Sequence, residues 1–502
     1  MNLIEKYPVE LYNTLSRKKE LFKPITEGHV GIYLCGPTVY SDPHLGHARG
    51  AIGFDVMNRY FQYLGYKVRF VRNVTDVGHL EDEVQGAGED RITKKAKVEK
   101  LEPMEIAQKY INSYRKYIGM LNILEPSIEP AASGHIIEQI NVIKNILEHG
   151  FAYEINGSIY FDVLKYMESG KRYGELSGKV VEDLMSSGRE LEGQDEKKNP
   201  VDFALWKKAK PEHIMKWDSP WGEGFPGWHL ECTAMSAKYL GVPFDIHCGG
   251  MDLQFPHHES EIAQCNGAFG KSPVNYWVHN NMLTINGQKM ARSLGNFITL
   301  EELFAGKHEK LEQAYSPMTV RFFTLQTHYR TPIDFSNEAL HAAEKGLIRL
   351  MNSLETLNSL SYQKPKEINA DLEKEINELI ESLFTSLSDD SNTPKTLAAL
   401  FDLSKHINSF KDGKIDLGSI TKETFEKLHK YFNDFVTTIL GIEKEQSGQN
   451  DKLDGVMSLV LDIRKQAREN KDWPLSDKIR DDLAKVGIQV KDGKDGSTYT
   501  IL

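Results

Sequence analysis

VGIYLCGPTVYSDPHLGHARGAIGFDVMNRYFQYL, residues 30–64, is the stretch whose reading decides the fold. Val30–Cys35 is a short apolar run of strand length, and the segment after it carries Gly36, Pro37 and Pro43, which interrupt regular structure. From about His47 to Leu64 the period changes. Phe54, Met57, Phe61 and Leu64 recur at spacings of 3, 4 and 3, which is one face of a helix. Lys67–Val74 returns to strand, with Val68, Phe70, Val71 and Val74 apolar. Strand, glycine-containing loop, helix, strand is the unit of a parallel doubly wound sheet, whose ligands lie at the carboxyl ends of the strands. His44-Leu45-Gly46-His47 falls at that edge.

A second unit follows downstream. Val242–His247 reads as strand, Cys248-Gly249-Gly250 as a turn, and Asp252 through Phe269 as a helix with Pro256 near its start. Between the units, over about residues 110–225, lie helical segments, a hairpin-like stretch at Phe151–Val163 and a charged, solvated loop at Glu190–Lys198. This region reads as an insertion in the sheet domain. Beyond about residue 315 glycine thins out while leucine, lysine and glutamate dominate, as in Leu347–Leu360 and Leu372–Leu387, which predicts a helical bundle. A polar linker at Glu445–Asp451 precedes a tail of two helices and a small hairpin around Val490–Ile501. The expected architecture is α/β: a doubly wound parallel-sheet (Rossmann-type) catalytic domain over 1–305 with the insertion, a helical bundle over 306–445, and a small α+β module over 452–502. Three domains suit a chain of 502 residues.

Bulk properties narrow the class. Apolar residues make up 40% of the chain, enough for real cores, while the net charge of −11 argues against a protein that coats nucleic acid non-specifically. A local basic face remains compatible with that balance. Met1–Lys6 starts no signal peptide and no run is long enough to span a bilayer, so the cytoplasm is the expected location. The 4 cysteines, Cys35, Cys232, Cys248 and Cys265, include no CxxC pair and cannot make a disulfide framework.

Two constellations carry chemistry. Phosphoryl chemistry needs preorganised donors aimed at oxygens that gain charge. His44 and His47 at a helix start can point imidazole N–H groups at an α-phosphate, and Gly46 allows close approach to the backbone. Lys289 and Arg292, in Lys289-Met290-Ala291-Arg292-Ser293, can neutralise β- and γ-phosphates from a loop that Gly287 and Gly295 permit to move. Asp252 can accept from a ribose hydroxyl, or simply cap the following helix. The second constellation is metal-binding. His257 and Glu261 share one helical face, and Cys232 and Cys35 add two sulfurs, a donor set suited to Zn²⁺. Cys248 and Cys265 compete as thiols, and His258 lies three residues from Glu261.

His44–His47 (HLGH), Lys289–Ser293 (KMARS), Gly227–Met235 (GWHLECTAM) and Phe244–Gln264 together resemble the cysteinyl-tRNA synthetases, a family of class I aminoacyl-tRNA synthetases. The resemblance runs through nearly the whole chain. HLGH is similar to that family's HIGH signature. KMARS departs from KMSKS: Ala291 drops a hydroxyl and Arg292 replaces a lysine, which bears on the rate of activation rather than its type. The resemblance implies zinc ligands at Cys35, Cys232, His257 and Glu261, an amino-acid pocket including Thr75 and Trp228, and a tRNA stem-contact region within 306–445. It also implies that zinc, through an open position, selects the cysteine thiolate over serine, so that no editing domain is needed.

In the tail, the resemblance places Arg468, Trp473, Asp477 and Asp492 in an anticodon-binding module, where an indole, a guanidinium and carboxylates suit unstacked bases. Residues 452–502 hold ten Lys and Arg against nine Asp and Glu, well above the chain's average balance. The implied reaction is ATP-dependent ligation of L-cysteine to tRNA(Cys) by a monomer, with Mg²⁺ accompanying ATP. Two other readings share parts of this evidence: a cysteine ligase acting on a small amine acceptor, of the mycothiol-pathway type, and a non-catalytic zinc RNA-binding protein.

Overall fold

The computed structural model describes the 502-residue chain apart from residues 1, 79, 83–86, 182–196, 212, 363, 365–366, 445–449, 494–495 and 502. Four parallel strands, β1 (His29–Leu34), β2 (Lys67–Arg72), β3 (Phe244–Gly250) and β4 (Val274–Asn280), form a sheet in the order β4-β3-β1-β2. Helix α1 (Leu45–Leu64) joins β1 to β2, α2 (Trp228–Leu240) leads into β3, and α3 (His257–Phe269) joins β3 to β4. The winding therefore reverses between β1 and β3, and the crevice beyond their carboxyl ends is the place where such sheets bind ligands. Cys35 and HLGH follow β1 at that crevice; Gly249 and Gly250 end β3 there.

Several expected boundaries move, each for a local reason. Cys248-Gly249-Gly250 is strand and not turn, because the ladder with β4 continues to Gly250 opposite Asn280. The helix expected from Asp252 begins at His257. Met251–Gln254 form a 3₁₀ turn instead, and Pro256 sits just ahead of the first helical residue, where its missing N–H costs nothing. β2 ends at Arg72, after which Val74 bridges to Ala131 of the insertion.

The insertion between β2 and α2 contains helices Pro103–Met120 and Ile136–Glu148 and a four-stranded antiparallel sheet. Its hairpin, Ala152–Ile155 with Ser158–Phe161, is the one expected at Phe151–Val163; Phe203–Lys208 and Gly224–Pro226 complete the sheet from far along the chain. Ile143, Ile159, Phe161 and Trp206 pack there with Leu230 of α2 and Ala263 of α3. The insertion thus buttresses the two helices that carry Cys232, His257 and Glu261. Of the expected loop Glu190–Lys198, residues 190–196 lie outside the described residues.

Helices Asn337–Ser359, Ala370–Ser388, Thr393–Lys411 and Lys422–Asn433 form the expected bundle. Ile376, Leu383 and Leu387 share one apolar core with Ile52, Val56 and Tyr60 of α1, so the boundary expected near residue 305 falls inside continuous packing. A buried ionic group reinforces this junction. Asp55 of α1 accepts from Arg59 at 2.7 Å and from Arg321 at 2.5 Å, and Arg321 also donates to the carbonyls of Leu440 (2.6 Å) and Leu121 (2.8 Å). Residues 1–443 form one compact unit and 444–502 a second. The second contains helices Asn450–Glu469 and Trp473–Lys485 and the hairpin Ile488–Gly493 with Gly496–Ile501. Asn450 and Asp451 of the expected linker are helical, and residues 445–449 lie outside the described residues.

Candidate active site and metal centre

α1 begins at Leu45 because His44 and His47 cap it. The Gly46 N–H donates to His44 Nδ1 (3.1 Å), and the His44 N–H donates to His47 Nδ1 (3.2 Å). Both Nδ1 atoms are therefore acceptors, which fixes each neutral ring as the Nε2–H tautomer and leaves that N–H for a ligand. Gly46 is needed for the cap itself: a Cβ there would stand 2.9 Å from His44 Cε1. Burial pushes His47 down to about 4 and His44 well below its ordinary value, so both rings are neutral at physiological pH. Because unfolding restores values near 6.5, the two rings contribute stability that is complete above about pH 6.5 and is lost as pH falls below it, for His47 down to about 4. In NMR titration the His47 ring is expected to show a midpoint near 4; a midpoint near 6.5 would contradict this account of the site.

The KMARS segment meets HLGH through Phe297. The Leu300 N–H donates to the Pro43 carbonyl (2.8 Å), the Arg292 guanidinium lies 4.2 Å over the Phe297 ring, and that ring meets His44 edge-on at 4.9 Å. Gly287 is a turn residue in this arrangement. Asn286 and Gly287, at φ 49° and 75°, form the two-residue turn of a hairpin pairing Ile285 with Gln288, a geometry that requires left-handed residues. Gly295, at φ 61°, caps the 3₁₀ turn Arg292–Leu294. The segment is held by Asn296, which sequence reasoning missed: its Oδ1 accepts from the Ala291 N–H (2.8 Å) and its Nδ2 donates to the Lys289 carbonyl (3.1 Å). Lys289 and Arg292 are both exposed, and Lys289 lines the cleft.

The four expected metal ligands converge. Cys35 Sγ and Cys232 Sγ are 3.5 Å apart, Cys232 Sγ and His257 Nε2 3.4 Å, His257 Nε2 and Glu261 Oε1 3.2 Å, and Cys35 Sγ and Glu261 Oε1 3.9 Å. Edges of roughly 3.3–3.8 Å are expected for ligands around a tetrahedral Zn²⁺, so the donor set fits. A second grouping, Cys35, His247, His258 and Glu261, also lies close enough to hold an ion. The donors separate the two: the first offers two sulfurs and the second only one. His247 Nε2 faces the other carboxylate oxygen, Oε2, at 2.9 Å, and His258 Nδ1 is occupied by His279 Nε2 at 2.8 Å. His257 Nδ1 likewise pairs with His229 Nδ1 (3.1 Å), so both rings turn Nε2 towards the cluster, that of His258 to within 3.3 Å of Cys35 Sγ.

Burial pushes the Cys35 thiol up to about 12 and that of Cys232 well above its ordinary value; a bound cation is what would hold such thiols as thiolates. Cys248 faces the core shared with α1, and neither it nor Cys265 belongs to a metal-capable group among the described residues.

One cleft of about 500 Å³ joins these parts, lined by Cys35, His44, His47, Thr75, Trp228, Cys232, Asp252, His257 and Lys289 among others. Thr75 is buried, and its hydroxyl donates to Glu231. Asp252 is exposed in the 3₁₀ turn and does not cap α3, whose preceding residue is Pro256. In the second unit Arg468 and Asp477 are exposed, Trp473 is 56% exposed, and Asp477 pairs with Arg480 at 3.3 Å. Asp492 lies on the Ile488–Gly493 strand, with its side chain outside the described residues.

Residues 21–345 match the family model described as the tRNA synthetases class I (C) catalytic domain, 384–444 the DALR domain, and 452–499 the cysteinyl-tRNA ligase anticodon binding domain. Fold and site together define a class I aminoacyl-tRNA synthetase. The cysteine–tRNA ligase of Porphyromonas gingivalis is 54% identical over 499 residues, which is 99% of this chain and 100% of that protein. That of Thermus thermophilus is 46% identical over 497 residues, covering 98% and 99%. The chain belongs to the cysteine–tRNA ligase family. Mycobacterium tuberculosis methionyl-tRNA synthetase, solved in complex with methionyl-adenylate, shares the fold with a TM-score of 0.56 and 13% identity, over 82% of this chain and 89% of that one.

Proposed function

We propose that the chain is a cysteine–tRNA ligase that uses the described cleft for both half-reactions. A carboxylate oxygen of L-cysteine attacks the α-phosphorus of ATP, pyrophosphate leaves, and cysteinyl-adenylate forms. The 2′-hydroxyl oxygen of the 3′-terminal adenosine of tRNA(Cys) then attacks the carbonyl carbon, and AMP leaves. His44 and His47 donate Nε2–H to the α-phosphate at the start of α1, Lys289 and Arg292 offset charge on the β- and γ-phosphates, with Mg²⁺ accompanying ATP, and Asp252 accepts from the ribose. Cys35, Cys232, His257 and Glu261 would hold one Zn²⁺, which when bound supplies a borderline-soft Lewis acid that prefers sulfur to a hydroxyl. The rest is positioning, which by itself lowers barriers substantially.

The observation that carries this reading is the meeting of a two-sulfur donor set and the capped start of α1 in one cleft. The match of residues 452–499 to an anticodon-binding domain supports tRNA over a small amine as acceptor. No helix among the described residues is long and apolar enough to cross a membrane, and a cytoplasmic monomer fits this role. Cysteine-dependent ATP–pyrophosphate exchange followed by charging of tRNA(Cys) tests the reading. Exchange without charging points to the small-amine ligase, and absence of both to a non-catalytic protein.

Arg468, Trp473, Asp477 and Asp492 are the proposed anticodon contacts. Trp473→Ala is expected to raise KM for tRNA(Cys) on the order of 10-fold, the worth of one stacked base, while leaving pyrophosphate exchange unchanged. Loss of exchange in that variant would count against this assignment.

A further inference from the structure

α2 presents three residues to the cleft at positions i, i+3 and i+4: Trp228, Glu231 and Cys232. Cys232 belongs to the metal set and Trp228 to the proposed amino-acid pocket. Glu231 is 2% exposed, and its two oxygens are treated differently. Oε1 accepts from the Thr75 hydroxyl and from Asn73 Nδ2 at 3.4 Å; Oε2 is buried with no hydrogen-bond partner. Asn73 in turn is held by the Gly36 N–H, which donates to its Oδ1 at 2.8 Å. No lysine, arginine or histidine forms an ion pair with Glu231 among the described residues. A carboxylate taken out of water without a counter-charge is strongly unfavourable, so a buried oxygen without a partner on the wall of a cleft calls for a specific explanation.

We propose that Glu231 Oε2 accepts the α-ammonium group of the amino-acid substrate, with Thr75 and Asn73 fixing the carboxylate through Oε1. This rests on the function proposed above. Cysteine's nitrogen is separated from its sulfur by only two carbons. A sulfur held beside Cys232 therefore brings the ammonium group within reach of the neighbouring residue on the same helix face. Thr75 then acts on the substrate through Glu231 and is a positioning residue. The geometry also gives a chemical rule for the pocket: it selects a thiol and an amine on adjacent carbons, and a thiol acid lacking the amine should bind poorly.

The test compares L-cysteine with 3-mercaptopropionate, which keeps thiol and carboxylate but has no amino group. Both are titrated against the zinc-loaded full chain, wild type and Glu231→Gln, and zinc content is measured in each. Wild type is expected to prefer cysteine. Glu231→Gln is expected to keep its zinc, its KM for ATP and its affinity for 3-mercaptopropionate, while losing roughly 10- to 100-fold in affinity for cysteine, the range of a charge-assisted hydrogen bond. Equal loss for both ligands, or loss of zinc, would place Glu231 in support of the metal and overturn the proposal. So would a cysteine affinity unchanged within about twofold, or a wild type that does not distinguish the two ligands, which needs no variant at all. Absence of cysteine-dependent exchange in the wild type would instead overturn the function itself.

Discussion

Cys232→Ser is expected to lose its metal and, with it, cysteine activation. The side chain is 1% exposed, and its sulfur lies 3.5 Å from Cys35 Sγ and 3.4 Å from His257 Nε2. Serine keeps the size but replaces a thiolate donor with a hydroxyl that is not deprotonated at neutral pH, leaving one sulfur in a set whose softness favours Zn²⁺. The expected zinc content falls from roughly one per chain to well below that, and exchange falls by at least about 100-fold, since even outer-shell changes at metal sites cost 10- to 100-fold. Metal analysis alongside exchange checks both. Full zinc occupancy with normal exchange would show that the other grouping, around His247 and His258, holds the ion.

Asp55→Ala is expected to destabilise the catalytic unit strongly. Asp55 Oδ2 balances Arg59 and Arg321, while its Oδ1 accepts from the Leu124 N–H at 2.9 Å. Arg321 is fully buried. Removing the carboxylate leaves its guanidinium in the core without a counter-charge, which costs about 3–5 kcal/mol. The methyl group that remains also leaves a small void beside α1. Urea unfolding of the full chain measures this, with exchange followed in parallel because α1 carries His44 and His47. Substitution in an exposed pair such as Lys405–Asp402, at 2.6 Å, should change stability little despite its good geometry.

The parallel sheet was legible because its signals are local. A change of period between Cys35 and Phe54 marks strand, loop and helix, and the position of HLGH follows from the unit itself. The metal set was half legible: His257 and Glu261 announce themselves at i, i+4, but the choice among four cysteines depends on which face of a strand or helix each occupies. Cys248 and His247 are neighbours on β3, yet His247 meets Glu261 of α3 while Cys248 packs in the core with α1. Sequence could not place Asn296, whose role is two hydrogen bonds to a loop, or Glu231, since a glutamate inside a helix ordinarily reads as a solvated position. Asp252 does not cap the helix because Met251–Gln254 turn as a 3₁₀ segment and the helix begins only at His257, a boundary that a proline near the start does not fix. The insertion's sheet escaped pattern reading beyond its hairpin because Phe203–Lys208 joins from about forty residues away.

The central claim is that one cleft activates cysteine and that its metal-capable donor set chooses the amino acid. The most direct measurement is kcat/KM for amino-acid-dependent pyrophosphate exchange by the zinc-loaded full chain, with L-cysteine and L-serine compared under identical conditions. A ratio in favour of cysteine of at least about 10⁴ is expected, the discrimination available when a site is built around the group that distinguishes two substrates. A ratio near the few-fold to 200-fold reach of simple pocket fit would contradict it.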